Sequence, residues 1–266
     1  YFNYDYPEPK EDEVFSVSLD QGPCAWNEEH RLLRIGLKTA SLSVEEMPPS
    51  NLVFLIDVSG SMSSPDKLPL LQTAMKIMVK NLNPEDRVAI VVYASSTGLV
   101  LESTPASEAD KIVDAIDGLY AGGSTAGGAG IQLAYKVAQE NFKKEGNNRV
   151  ILATDGDFNV GLSSDDELKK LIEKERESGV FLSVLGFGTG NYQDAKMESL
   201  ADHGNGNYAY IDGLLEARKV LATELGANLH VVAKDTKFQI EFNPQKVAAY
   251  RLLGYENRLL ADEDFD

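Results

Sequence analysis

The sequence predicts an α/β fold whose main feature is a doubly wound, mostly parallel sheet, with a small antiparallel β unit beside it. Short and almost uniformly apolar runs alternate with amphipathic helical patterns through the middle of the chain, at 51–57, 87–93, 149–154, 180–186 and 207–211. Uniformly apolar strands between helices are typical of a parallel sheet covered on both faces. A sixth run, 98–102, follows the second too closely for a helical crossover, so we expect an antiparallel edge strand there.

The segments between these runs repeat apolar residues at intervals of three and four, which is the pattern of a helix with one buried face. The first such row consists of Leu68, Leu71, Met75, Met78 and Leu82. Further helices are predicted near 107–118, 128–143, 164–178, 193–202 and 213–226. The alternation of strands and helices therefore predicts a Rossmann-like domain over residues 48–227.

The two flanks of this domain have a different pattern. Strand-like runs at 13–20, 31–40, 230–243 and 247–254 have no helical pattern between them. Because the runs lie on both sides of 48–227, we predict that 1–47 and 228–266 meet in one discontinuous accessory β domain with an antiparallel sheet. Two loosely attached arms are the alternative, and they would bury little surface.

Composition excludes several classes of function. The formal net charge of -17 is unsuited to tracking nucleic-acid phosphates, so no nucleic-acid partner is expected. The single cysteine, Cys24, can form neither an internal disulfide nor a multi-cysteine metal site. No apolar run is long enough to cross a bilayer. The opening residues, YFNYDYPEPK, read like the interior of a longer polypeptide, so we expect a fragment whose targeting signals lie upstream.

Oxygen-bearing side chains cluster where the first buried strand ends. The run LIDVSGSM places Asp57 at the carboxyl end of that strand and Ser59 and Ser61 in the following turn. Ligands of open α/β sheets bind at this edge. Alternate residues of an extended turn point the same way, and Gly60 is expected to let the backbone bend between the serines.

Two further loops supply candidate ligands. Thr125 lies in the glycine-rich run AGGSTAGG before a helix, and Asp155 follows the strand RVILAT. Hydroxyls and carboxylates without nitrogen or sulfur are the ligands of hard cations, so we predict Mg²⁺ at Asp57, Ser59, Ser61, Thr125 and Asp155, with Mn²⁺ and Ca²⁺ as alternatives. The remaining coordination position is left to water or to an acidic group of a partner.

These residues resemble a known motif. Asp57-Val58-Ser59-Gly60-Ser61 is similar to the D-x-S-x-S signature of the metal-ion-dependent adhesion site (MIDAS) of von Willebrand factor A domains, and Thr125 and Asp155 match its two later positions. The runs NRVILATDGDFNVG, VLGFGTGNYQD and KFQIEFNPQKVAAYRLLGYENR resemble the bacterial YfbK-like branch of that family over almost the whole chain.

The resemblance implies a function and a location. It implies a metal-dependent adhesion module that recruits an Asp or Glu of a protein partner. No enzymatic activity is expected, because the chain lacks a suitably placed base for a hydrolase. The resemblance also implies a bacterial cell-envelope protein that is either exported or held by a lipid anchor upstream of these residues. A structural scaffold in which the metal only stabilises the domain remains an alternative, and a metal-dependent hydrolase is a weaker one.

Other readings of the same residues fit less well. The run from Asp155 to Asn159 resembles an EF-hand loop, but Val160 stands where that loop needs glycine. The glycines of GFGTGN have the wrong spacing for a dinucleotide fingerprint. A serine hydrolase needs a nearby base, and His30, His203 and His230 are the histidines available; His203 alone lies in a loop before a predicted strand of the sheet.

Overall fold

A computed structural model describes residues 4–10, 12–40, 47–123, 128–156, 165–188, 194–224 and 236–254. The chain divides into two compact units. The smaller comprises Tyr1–Ala40 and Val231–Asp266, and the larger comprises Ser41–His230. Within the described ranges, no helix is long and apolar enough to span a membrane.

The smaller unit contains a two-stranded antiparallel sheet formed by N-terminal residues. Strand β1 (Phe15–Pro23) pairs with β2 (Arg31–Thr39) in a register that runs from Phe15 opposite Thr39 to Pro23 opposite Arg31. The C-terminal part of the unit packs against this sheet through Phe238, whose ring centroid lies 6.0 Å from that of Phe15 in an edge-on arrangement.

The strands predicted in the C-terminal flank were wrong wherever the structure describes it. Residues 236–243 and 247–254 form no strand, and 230–235 lie outside the described residues. The alternation of apolar residues at 238, 240 and 242 is a local pattern, whereas a strand needs a neighbouring backbone to pair with. Asn243 instead begins a turn, in which its Oδ1 accepts a hydrogen bond from the Gln245 amide at 2.9 Å.

The larger unit is built on a six-stranded sheet with the order β5-β4-β3-β6-β7-β8. Its strands are β3 (Ser50–Asp57), β4 (Arg87–Tyr93), β5 (Thr97–Pro105), β6 (Asn147–Thr154), β7 (Phe181–Phe187) and β8 (Tyr208–Ile211). All neighbouring pairs are parallel except β4 and β5, which are antiparallel at the edge of the sheet. The predicted strands, including the antiparallel edge strand, are confirmed.

In the part of the chain that the structure describes, six α-helices accompany these strands. They are α1 (Leu68–Val79), α2 (Ala109–Asp117), α3 (Gly128–Glu140), α4 (Asp165–Arg176), α5 (Asp194–His203) and α6 (Leu214–Arg218), the last continued by a π-helical turn over Lys219–Glu224. Helix α1 ends before Leu82, which packs partly buried against the core from beyond the helix. The described part of the helix predicted over 213–226 is therefore a short α-helix that continues as a π-helical turn.

The helices cover both faces of the sheet. Residues 52, 54 and 56 of β3 join the core that includes side chains of α1, α2 and α6, whereas residues 53 and 55 join the core that includes side chains of α3, α4 and α5. Successive residues of a strand point to opposite faces, so a strand buried on both sides must be apolar throughout. This arrangement confirms the doubly wound fold class.

Candidate metal centre

Asp57 is the last residue of β3, at the centre of the sheet, and is fully buried. Its Oδ1 accepts a hydrogen bond from the Ser59 amide at 2.8 Å. Its Oδ2 lies 3.3 Å from the Tyr93 hydroxyl and 3.4 Å from the Thr154 hydroxyl, both of which donate to it. The strands on either side of β3 thus each supply a donor that fixes the carboxylate.

The Asp57 carboxylate has an unfavourable electrostatic environment when no cation is present. Burial raises its pKa above the usual aspartate value, and the negative charge of Asp155 acts in the same direction. The hydrogen bonds from Ser59 and Tyr93 oppose these effects without cancelling them. A divalent cation would offset both the desolvation and the repulsion between the carboxylates, so the charge of the site fits a metal ion.

The turn after β3 brings two hydroxyls together. Ser59 is buried in an extended conformation and Ser61 is exposed in the 3₁₀ turn Gly60–Ser63. Their Oγ atoms lie 3.0 Å apart. The side-by-side arrangement expected from the D-x-S-x-S spacing is therefore present. Gly60, however, does not have a positive φ, so the turn does not depend on the conformational freedom of this glycine.

The loop that precedes Thr125 is hydrogen-bonded to this turn. The Gly60 amide donates to the Gly123 carbonyl at 3.0 Å, and the Gly122 amide donates to the Val58 carbonyl at 2.7 Å. Gly123 has a φ of 87°, a left-handed conformation that favours glycine. Thr125 itself lies outside the described residues, as does Asp157.

Asp155 follows β6, the strand next to β3, and its side chain is 6% exposed. Its Oδ2 forms an ion pair with the Lys67 ammonium at 2.9 Å. The same ammonium donates to the Ser61 carbonyl, also at 2.9 Å. Lys67 therefore links Asp155 to the turn that carries the two serines.

The structure brings together four of the five residues predicted as ligands, namely Asp57, Ser59, Ser61 and Asp155, at the carboxyl ends of β3 and β6. The donor set is two carboxylates and two hydroxyls, which suits a hard cation. Among the residues described, no three His, Cys, Asp or Glu side chains cluster in a manner that could hold a metal. The candidate centre therefore depends on its hydroxyls as well as its carboxylates.

Sequence reasoning missed three residues that contact the predicted ligands: Lys67, Tyr93 and Thr154. The parallel strands offer a signal for two of them, because Tyr93 is the register partner of Asp57 and Thr154 ends β6, immediately before Asp155. Lys67 comes just before α1 and had no signal of its own. Its role depends on the fold, which brings its ammonium to a carboxylate 88 positions away.

His203, the histidine considered as a base, ends helix α5. Its Nδ1 lies 2.6 Å from the Ser199 carbonyl, and its Nε2 lies 3.7 Å from a Glu173 carboxylate oxygen. His30 is in the turn between β1 and β2, where its amide donates to the Asn27 carbonyl. His230 lies outside the described residues.

The doubly wound sheet and the oxygen-bearing side chains at its carboxyl edge define a class of protein, an α/β domain whose candidate ligand site lies at the ends of its central strands. The chain belongs to the von Willebrand factor type A domain family, whose model matches residues 51–221. Two further models match the flanks: one for the C-terminal part of the uncharacterised protein YfbK over 227–266, and one for von Willebrand factor over 1–34.

Relatives place the chain within this family. It is 50% identical over 252 residues to the uncharacterised protein YfbK of Escherichia coli (strain K12), covering 95% of this chain and 44% of that protein. The chain thus spans less than half the length of this relative. A von Willebrand factor type A structure from Catenulispora acidiphila superposes with a TM-score of 0.59 at 18% identity, covering 80% of this chain and 49% of that one.

A mussel protein has the same fold. Proximal thread matrix protein 1 from the mussel byssus, in a structure with a zinc-occupied MIDAS motif, matches with a TM-score of 0.51 at 24% identity. The match covers 66% of this chain and 44% of the mussel protein. At this identity the similarity establishes the fold alone.

Proposed function

We propose that this chain is a metal-dependent protein-binding module, in which Asp57, Ser59, Ser61, Thr125 and Asp155 hold Mg²⁺ and the ion recruits an acidic group of a protein partner. The supporting observation is that two carboxylates and two hydroxyls lie near one another at the ends of β3 and β6. Membership of the von Willebrand factor type A family supports the same proposal, and so does the zinc-occupied MIDAS of the mussel protein.

The exposure of the ligands supports access by a partner. Asp57 and Ser59 are buried, whereas Ser61 is exposed to solvent. Asp57 and Ser59 would bind an ion on its buried side, and a partner could reach the ion from the solvent side, where Ser61 lies. A bound ion is a strong local positive charge, and a carboxylate of a partner would complete its coordination. We place this activity in the bacterial cell envelope, in line with the resemblance to the YfbK-like branch.

Calorimetric titration of Mg²⁺ and of Mn²⁺ tests the metal site. We expect stoichiometric binding to the wild-type chain and loss of detectable binding in Asp57→Ala. Asp114→Ala is the matched control, because it removes one negative charge from the exposed surface of α2 and should leave metal affinity unchanged. Equal metal binding by Asp57→Ala and the wild type would refute the proposed site.

Affinity capture tests the recruitment step. A partner retained in Mg²⁺ should be released by EDTA and should not bind Ser59→Ala. A partner that survives both treatments would favour a structural scaffold, in which the metal only stabilises the domain. A screen of phosphate and ester substrates in Mg²⁺ and Mn²⁺ should show no turnover, and measurable turnover would favour a hydrolase.

A further inference from the structure

Lys67 occupies a position between three strand ends. Its ammonium lies 2.9 Å from Oδ2 of Asp155, after β6, and 2.9 Å from the Ser61 carbonyl, after β3. Its stem lies against Gly188, the residue after β7: a Cβ at that position would approach Lys67 Cε to 2.3 Å. The side chain is 18% exposed. A lysine packed in this way is a fixed part of the candidate centre.

The ion pair holds the Lys67 ammonium against the carboxylate of Asp155, one of the predicted metal ligands. A buried carboxylate strongly favours a nearby counter-charge, and removal of that charge destabilises the folded state. Both a divalent cation and the Lys67 ammonium can provide positive charge to Asp155. The ammonium also repels a dication bound among the same loops.

We propose that Lys67 is a positioning residue that acts as a tethered counter-ion of the metal centre, orienting Asp155 and lowering the affinity of the centre for divalent cations. This inference rests on the proposed metal site. Lys67 stabilises the metal-free protein more than the metal-bound protein, since a bound ion and the ammonium share the charge of Asp155. By linkage, this difference must appear as weaker metal binding.

The same charge affects the ligand that the bound ion can recruit. Asp57 and Asp155 together carry two negative charges, which a divalent ion neutralises. Among the charged side chains of the centre that the structure describes, Lys67 adds one positive charge to this balance. A centre with a residual positive charge favours an anionic partner group over a neutral one, which agrees with the proposed acidic partner.

Two substitutions of Lys67 test the inference. Lys67→Met retains much of the apolar stem without the charge, and Lys67→Arg keeps the charge. We expect Lys67→Met to melt at a lower temperature than the wild type in EDTA and to bind Mg²⁺ more tightly, on the order of tenfold. Lys67→Arg should behave like the wild type in both measurements. A lysine that only packed would not tighten metal binding when it is replaced.

A lysine within α1 provides the control. Lys76 pairs with Asp117 at 2.7 Å, with both side chains at least 36% exposed, so Lys76→Met should leave Mg²⁺ affinity unchanged. If Lys67→Met does not fold, Lys67→Gln carries the same expectation, because it lacks the charge and keeps a donor for the Ser61 carbonyl.

The outcomes separate this inference from the proposed function. Mg²⁺ binding by the wild type, with equal or weaker binding by the uncharged Lys67 variant, overturns the role of Lys67 and leaves the metal site in place. An absence of metal binding in both the wild type and that variant refutes the proposed function and the inference with it. Tighter binding by the uncharged variant alone, with Lys76→Met unchanged, supports the tethered counter-ion.

Discussion

Tyr93 and Asp57 are register partners at the carboxyl ends of two parallel strands, and the Tyr93 hydroxyl lies 3.3 Å from Oδ2 of Asp57. Burial raises the pKa of Tyr93 well above its ordinary value, and the charge of Asp57 acts in the same direction. The phenol therefore stays protonated and donates to the carboxylate. Strand pairing thus provides a buried donor for the residue at the centre of the proposed metal site.

Tyr93→Phe removes this donor and keeps the aromatic ring in the core. We expect the free energy of unfolding, measured with urea in EDTA, to fall by about 1 kcal/mol, because a buried carboxylate loses a hydrogen bond. Tyr208→Phe is the control, since the Tyr208 hydroxyl donates to Asp194 in an exposed setting and its removal should change little. Equal unfolding free energies for Tyr93→Phe and the wild type would contradict the assigned role.

Asp57→Asn should stabilise the metal-free protein and abolish the stabilisation that Mg²⁺ gives. Asn could keep the bond from the Ser59 amide, and its NH₂ group could donate to the hydroxyls of Tyr93 and Thr154. It lacks the buried charge, so we expect a higher melting temperature than the wild type in EDTA at pH 7. Saturating Mg²⁺ should raise the melting temperature of the wild type and leave the variant unchanged. A variant that melts below the wild type in EDTA would count against the electrostatic argument.

Metal affinity should fall as the pH is lowered. Burial raises the pKa of Asp57 above the ordinary aspartate value, so the folded protein takes up a proton there at a higher pH than the unfolded chain does. The contribution of this group to metal-free stability is therefore present at low pH and lost as the pH rises through the folded pKa. Mg²⁺ must displace the proton, so titrations at decreasing pH should show weaker binding with proton release. Affinity that stays constant down to the ordinary aspartate pKa would contradict the prediction.

The strands and helices of the larger unit could be predicted because each depends on a local pattern. The apolar runs of β3 and β6 and the apolar spacing of α1 identify these elements. The connection between β4 and β5 is too short for a helical crossover, which predicts the antiparallel edge strand. The C-terminal segment 236–243 could not be predicted in this way, because its alternating apolar residues resemble a strand but a strand also needs a partner. Pairing is a property of the fold and is not encoded in so short a segment.

The candidate site could likewise be predicted only in part from the sequence. Asp57, Ser59 and Ser61 follow from one short motif, and Asp155 follows from its position at a strand end. The ligand set itself stays a prediction, as does the domain division at 48–227. Lys67 could not be found from the sequence, because its contact with Asp155 joins loops after different strands. Gly123, in the loop hydrogen-bonded to the serine turn, has a left-handed conformation, whereas the motif glycine Gly60 does not.

Neighbouring glycines in the loop before Thr125 allow a matched comparison. Gly123→Ala places a side chain at a φ of 87°, where a Cβ would also approach Ser95 Oγ to 2.3 Å. Rotation of the serine can relieve the contact, so the backbone conformation dominates the cost, about 1 to 2 kcal/mol of unfolding free energy. Mg²⁺ binding should weaken as well, because this loop is hydrogen-bonded to the serine turn.

Gly122→Ala is the control, because a Cβ there meets no atom within 4 Å. It should retain wild-type metal affinity and nearly wild-type stability in the same calorimetric and denaturation experiments. If the two glycine variants bind Mg²⁺ equally well, then the conformation of this loop does not matter to the metal site.

The most direct test of the metal centre is an anomalous difference map from crystals of the chain grown or soaked in Mn²⁺. We predict one strong peak with ligand distances to oxygens of Asp57, Ser59, Ser61, Thr125 and Asp155, or to waters that these residues hold. A map without a peak at this edge of the sheet, with these side chains pointing away from a common point, would contradict the account.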